Sequence, residues 1–221
     1  MIRACIFDLD GTLLYTLDTI THYVNDTLLQ YNLAPIDRDT CMGFIGNGAA
    51  KLITRAFNLR GVTDVDLINE AYVKYNRAYD AEPYYLTSLY PGVADLLSSL
   101  KARGIKLGVL SNKPDFATRA VVSHFFGDTV DYVLGATEDK ARLKPNPAST
   151  YDMLEKMGTE CGELAFIGDS TVDIWTARAA GARLSLGVAW GYGKPCELVG
   201  AGADSVVLDT RELLRVICHA D

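Results

Sequence analysis

The sequence is 221 residues long, 49% hydrophobic and 22% charged, with a formal net charge of -7. Enough apolar residues are present for a full core, whereas the acidity and the lack of any basic run exclude a nonspecific nucleic-acid binder, which needs clustered Lys and Arg; no stretch approaches the roughly 18 apolar residues of a membrane span. Cys5, Cys41, Cys161, Cys196 and Cys218 are odd in number, far apart and never in a CxxC pair, so neither a disulfide framework nor a zinc site is expected, and the natural setting is a reducing cytoplasm.

In chain order, the first predicted element is a short apolar strand from Ala4 to Phe7. From about Thr16 to Tyr85 the pattern turns helical, without a convincing strand. Leu17, Ile20, Val24 and Tyr31 mark one helix, Ala49 to Phe57 a second and Val65 to Tyr79 a third. Residues 15–85 are therefore expected to form a helical cap domain inserted after the first strand, with residues 1–14 and 86–221 forming an α/β core domain. Within that core, Pro91 opens a helix whose Val93, Leu96, Leu97 and Leu100 share a face, and Gly104 terminates it. A strand from Ile105 to Leu110 leads into a helix starting near Pro114. Next come a strand at Tyr132 to Leu134 and a helix opened by Asn146-Pro147 and closed by Gly158. Strands at Leu164 to Ile167, Arg183 to Val188 and Ser205 to Leu208 complete the series. This alternation predicts a doubly wound, Rossmann-like parallel sheet covered by helices on both faces.

Polar residues cluster where three of these strands stop. In Phe7-Asp8-Leu9-Asp10-Gly11-Thr12, residues two apart share a face, so Asp8 and Asp10 point into one cavity while Leu9 packs behind them. Two carboxylates that close need a cation between them or a proton on one. Asp169 and Asp173, in Ile167-Gly168-Asp169-Ser170-Thr171-Val172-Asp173, are available for the same purpose. Ser111 and Asn112 follow the strand ending at Leu110 and offer a hydroxyl and backbone amides at the entry to a helix, where anions bind. Lys144 precedes Pro145, which keeps it out of helical geometry and leaves its ammonium near the N-terminus of the next helix. Ligands of open parallel sheets collect at the carboxyl ends of strands, so these runs converge on one edge.

In this order, Asp8-Leu9-Asp10-Gly11-Thr12-Leu13, Ser111-Asn112-Lys113-Pro114, Lys144-Pro145 and Gly168-Asp169-Ser170 with Asp173 resemble the haloacid dehalogenase superfamily, in its phosphoglycolate phosphatase-like branch. The late Trp190-Gly191-Tyr192-Gly193 and Ala201-Gly202-Ala203-Asp204 extend the likeness over nearly the whole chain. The resemblance implies a phosphatase acting on a small phosphorylated metabolite, with 2-phosphoglycolate the leading candidate. It further implies Asp8 as nucleophile, Asp10 as general acid and base, and Mg2+ held by Asp8, the Asp10 backbone carbonyl and Asp169, with Asp173 in its outer shell. Ser111, the Asn112 amide and Lys144 are implied as phosphate ligands. A sugar-phosphate mutase would use the same four segments, and an idle module binding a phosphorylated ligand is a third alternative. Asp10 speaks against a dehalogenase, because a departing halide needs no proton.

Other features have plainer readings. Asp-x-Asp-Gly-Thr alone would pass for a turn, Gly168-Asp169-Ser170 for a helix cap and Lys144 for a surface lysine. Gly46-Asn47-Gly48 imitates part of a dinucleotide fingerprint but follows no strand; it is either a cap loop whose amides hold a substrate carboxylate or a simple turn. His22, His124 and His219 are isolated and read as structural, and Tyr72, Tyr75, Tyr79, Tyr84 and Tyr85 as the packing face of a cap helix and its end. Oligomeric state leaves no trace in the sequence.

Overall fold

A computed structural model describes residues 1–137 and 139–220. Its elements in chain order begin with β1 (Ala4–Phe7), β2 (Leu14–Tyr15), α1 (Leu17–Gln30), α2 (Arg38–Met42), α3 (Ala49–Leu59), α4 (Val65–Ala81) and β3 (Ser88–Leu89). They continue with α5 (Val93–Ala102), β4 (Lys106–Pro114), α6 (Asp115–Phe126), β5 (Tyr132–Ala136), α7 (Ala148–Met157), β6 (Leu164–Gly168) and α8 (Thr171–Ala180). The last are β7 (Leu184–Val188), α9 (Pro195–Gly200), β8 (Ser205–Val207) and α10 (Thr210–Cys218).

Six strands pair in parallel in the order β5-β4-β1-β6-β7-β8, which puts β1 near the middle and reverses the winding on either side of it. All four residues of β1 are buried, as a strand covered on both faces requires. Cys5 and Phe7 join one apolar cluster with Val93, Leu97 and Leu100 of α5 and Leu213 of α10; Ala4 and Ile6 join another with Met153, Leu154 and Met157 of α7. Strand alternation thus sends successive side chains to opposite helical layers. The expected doubly wound sheet is present.

Helices α1, α3 and α4 have an apolar core of their own, built from Ile20, Val24, Leu28, Ile53, Phe57, Ile68 and Tyr75, with Ala117 of α6 packed into it. Three short elements here were not expected. The five-residue α2 is too short to show periodicity and depends on its cap, the Asp37 carboxylate accepting from Thr40 N at 2.7 Å. Strands β2 and β3 pair antiparallel, Leu14 opposite Leu89 and Tyr15 opposite Ser88, so the two chain passages flanking the helices run side by side. Expectation and structure also differ at β4, which runs on to Pro114 with a register shift after Leu110, so that Ser111, Asn112 and Lys113 lie within the strand rather than after it. Tyr84 and Tyr85 are exposed and lie outside the helical core that takes Tyr75 and Tyr79. The five cysteines are all free, and among the described residues no helix is long and apolar enough to cross a membrane.

Candidate active site

The turn after β1 sets the first carboxylates. Asp8 N donates to Ile167 O at 2.8 Å, continuing the ladder with β6, and Leu9 O then accepts from the amides of Thr12, Leu13 and Leu14. Gly11 turns with φ +88°, a conformation open to glycine, and a Cβ there would lie 2.3 Å from Asp169 Oδ2. The first loop is therefore pressed against the third. Thr12 Oγ1 donates to Asp169 Oδ1 at 3.1 Å, and Tyr192 N donates to Asp169 Oδ2 at 2.7 Å.

At the start of α8 the Ser170 amide and hydroxyl donate to Asp173 Oδ2 at 3.0 and 2.6 Å, forming a capping box. The other oxygen of Asp173 accepts from Lys144 Nζ at 2.6 Å, and Asp8 Oδ1 accepts from the same ammonium at 2.7 Å. Lys144 therefore reaches Asp8 and the first turn of α8; its ammonium sits between two carboxylates, in place of the expected position by the helix that follows Pro145. Asn112 fixes the lysine's backbone, its side-chain oxygen accepting from Lys144 N at 2.9 Å and its amide donating to Lys144 O at 3.1 Å and to Gly46 O at 3.2 Å. The Asn112 side chain is thus committed to aligning Lys144 and the Gly46 loop.

Asp8, Asp169 and Asp173 are buried, and each offers an oxygen within 4.8 Å of the others. Burial first, then the neighbouring Asp173 and Asp169, pushes Asp8 up to about 8 against the pull of Lys144. Asp169 is pushed up to about 7 by burial and Asp173, opposed by the bonds from Tyr192 N and Thr12. Burial disfavours the Lys144 ammonium, but Asp173 and Asp8 more than compensate and raise its pKa above the ordinary lysine value. With Asp10 included, four carboxylates face two ammonium groups, Lys144 and Lys113. Hard oxygen donors with an excess of buried negative charge suit a small divalent cation such as Mg2+.

Sequence reasoning assigned Lys113 no role. Its ammonium donates to both Asp10 oxygens at 3.2 Å and to the Tyr79 hydroxyl at 2.7 Å, tying the first loop to α4. Strand alternation was the available signal, since Ser111 and Lys113 lie two apart. Asp8, Asp10, Ser111, Asn112, Lys113 and Lys144 line one cavity at the sheet edge, which encloses about 640 Å³ including its open mouth. Gly46 and Gly48, in the loop before α3, line it too, whereas Asn47 does not. Asp169 and Asp173 do not line it, but each has an oxygen within 4.8 Å of an Asp8 oxygen. Away from this cavity, His22 packs edge-on to Tyr23 and Tyr85, and His124 stacks on Tyr84.

Comparison with known proteins gives the same direction. Residues 5–186 match the family of haloacid dehalogenase-like hydrolases. A phosphoglycolate phosphatase from Rhodospirillum rubrum is 36% identical over 208 residues, covering 91% of this chain and 86% of that one, and one from Haemophilus influenzae is 32% identical with 96% of each covered. The crystal structure of a predicted phosphoglycolate phosphatase from Haemophilus somnus superposes with a TM-score of 0.88 at 28% identity, over 97% of both chains. By family, by relatives and by fold, this chain belongs to the haloacid dehalogenase-like hydrolases, in their phosphoglycolate phosphatase-like branch, and is a phosphoric monoester hydrolase.

Proposed function

We propose that the protein is a magnesium-dependent phosphatase that hydrolyses a small phosphorylated metabolite through a phosphoaspartyl intermediate on Asp8. Residues 1–14 and 86–221 act as the catalytic core and residues 15–85 as a cap over the cavity. Names of the relatives make 2-phosphoglycolate, cleaved to glycolate and phosphate, the reference substrate. The observation that carries the reading is the Asp8 carboxylate at the cavity wall, bonded to Lys144 and backed by Asp169 and Asp173.

Asp8 Oδ forms a bond to phosphorus as the bond to the ester oxygen breaks, and Asp10 gives its proton to that oxygen. Asp10 then takes a proton from a water whose oxygen attacks phosphorus, releasing phosphate and restoring Asp8. Lys113 holds the Asp10 carboxylate in place for both transfers. Lys144, the Ser111 hydroxyl and the Asn112 main-chain amide neutralise the remaining phosphoryl oxygens. Asp8, the Asp10 carbonyl and Asp169 would hold Mg2+, with Asp173 behind them, and the ion supplies positive charge that offsets repulsion between carboxylate and phosphate.

The test is phosphate release from small phosphoesters and an aryl phosphate, with and without magnesium. Turnover is expected only with the metal and only with Asp8 intact. Activity that survives Asp8→Asn or is indifferent to a chelator overturns the reading.

A further inference from the structure

The segment Trp190-Gly191-Tyr192-Gly193, which follows β7, runs beside the site and contributes no side chain to the cavity wall. It reaches Asp169 from two directions. Trp190 Nε1 donates to Thr12 O at 3.0 Å, Thr12 Oγ1 donates to Asp169 Oδ1 and Tyr192 N donates to Asp169 Oδ2, so both carboxylate oxygens are held by a ring of contacts that starts and ends in this segment. The glycines allow the close approach. A Cβ at Gly191 would overlap Asp169 Cβ and Gly11 O, and one at Gly193 would overlap the Asp169 carbonyl. Backbone packed this closely leaves no slack, and a displacement of the segment displaces the carboxylate.

The side chains flanking Gly191 go separate ways. Trp190 packs on the apolar core shared with α5 and α10, whereas Tyr192 packs on the core of α1, α3 and α4. The Tyr192 hydroxyl accepts from Thr16 N at 2.7 Å and lies 3.2 Å from Thr16 Oγ1. Thr16 is fully buried and is the N-cap of α1, and its own side chain makes no capping bond. Tyr15, just before it, packs edge-on to Tyr192 and to Tyr90, with ring centroids 6.4 and 6.1 Å apart, and Tyr90 directly follows β3. One phenol thus stands where the chain leaves the sheet and where it returns. Its ring is rigid and turns about only two side-chain bonds, so whatever fixes the Tyr192 amide also fixes the acceptor that Thr16 uses.

Resting on the magnesium site of the phosphatase reading, we propose that Tyr192 is a positioning residue that couples the ion to the helical layer: its amide orients Asp169, its hydroxyl anchors Thr16, and holding the ion and seating α1 therefore reinforce one another. The coupling is reciprocal. An ion that restrains Asp169 restrains Thr16, and loss of the bond at Thr16 loosens the ion. No atom of Tyr192 touches ion or substrate in this role.

The experiment measures magnesium binding by calorimetry and deuterium exchange of the Thr16 amide in the wild type, Tyr192→Phe and Tyr15→Phe. Tyr192→Phe keeps the ring and the amide that holds Asp169 and removes only the hydroxyl; Tyr15→Phe removes a neighbouring hydroxyl that bonds Asp18 and Arg38 instead. Tyr192→Phe should weaken magnesium binding about fivefold or more, the lower end of the range for coupled sites, and should raise the magnesium concentration needed for half-maximal turnover. Tyr15→Phe should bind the ion as the wild type does. Magnesium should slow Thr16 exchange in the wild type by a similar factor, and should not do so in Tyr192→Phe. A lower melting temperature in EDTA with unchanged magnesium affinity would make Tyr192 a structural residue only. That outcome, an equal loss of affinity in both variants, or Thr16 exchange in the wild type that ignores the ion overturns the coupling and leaves the phosphatase reading standing. The wild-type exchange decides even where Tyr192→Phe does not fold. A wild type that binds no magnesium overturns both.

Discussion

Lys113 grips Asp10 symmetrically, with its ammonium 3.2 Å from each carboxylate oxygen, and the same ammonium donates to the hydroxyl oxygen of Tyr79 on α4. On the proposed mechanism Asp10 is the proton donor, and its orientation is set jointly by the sheet and the helices between β2 and β3.

Replacing Lys113 with Met should therefore lower kcat for alkyl phosphates about 100-fold, within the ordinary range for general acid catalysis. An aryl phosphate, whose leaving group needs less protonation, should lose far less. Tyr79→Phe should give a smaller loss of the same kind. Equal losses on alkyl and aryl esters would show that Lys113 does not act through Asp10.

Asp8→Asn should have opposite effects on activity and stability. Turnover should fall by about 10⁴-fold or more, as expected for loss of a nucleophile. In chelator the variant should melt higher than the wild type, because one of three crowded buried carboxylates is gone while Lys144 keeps Asp173. Thermal denaturation in EDTA checks the sign.

The metal-free protein should lose stability as pH rises. Folding raises Asp8 from the ordinary carboxylate value of 3.8 to about 8, and Asp169 to about 7. The fold therefore prefers their protonated forms, so this contribution is complete below pH 3.8 and is lost as pH climbs through about 7 to 8. Magnesium requires the ionised forms, and its affinity should increase across the same window with release of protons. Urea titrations in EDTA and calorimetry in buffers of different ionisation enthalpy measure the two effects.

Lys144→Met should destabilise the metal-free protein by about 3 kcal/mol, since breaking a buried ion pair leaves its partners uncompensated. Magnesium should restore part of the loss without restoring activity. Urea midpoints with and without the ion provide the comparison.

The chain announced its chemistry more clearly than its specificity. Asp8, Ser111 and Asp169 were legible as one cluster because each follows the apolar run of a predicted strand, and strand ends leave little freedom of placement; Asp10 followed from its spacing to Asp8, and Lys144 only from its place in the order of the motifs. Lys113 stood in plain view but went unassigned; its partner Tyr79 lies 34 residues away across the helical insertion. The place of Asp80 on the cavity wall was hidden for a related reason: helical periodicity shows that α4 has an inward face but not how much of that face meets a core and how much a cavity. Strands β2 and β3, two residues each, are shorter than any pattern can register.

That small ladder has a consequence for how such proteins change. Leu14 and Leu89 face each other, so the chain departs from the sheet and returns to it at a single doorway. What is threaded between those two residues can vary without shifting the register of the strands that carry Asp8, Ser111 and Asp169, so long as it keeps partners for Lys113 and Asn112. Descendants of one ancestor can thus acquire new appetites while keeping the same reaction.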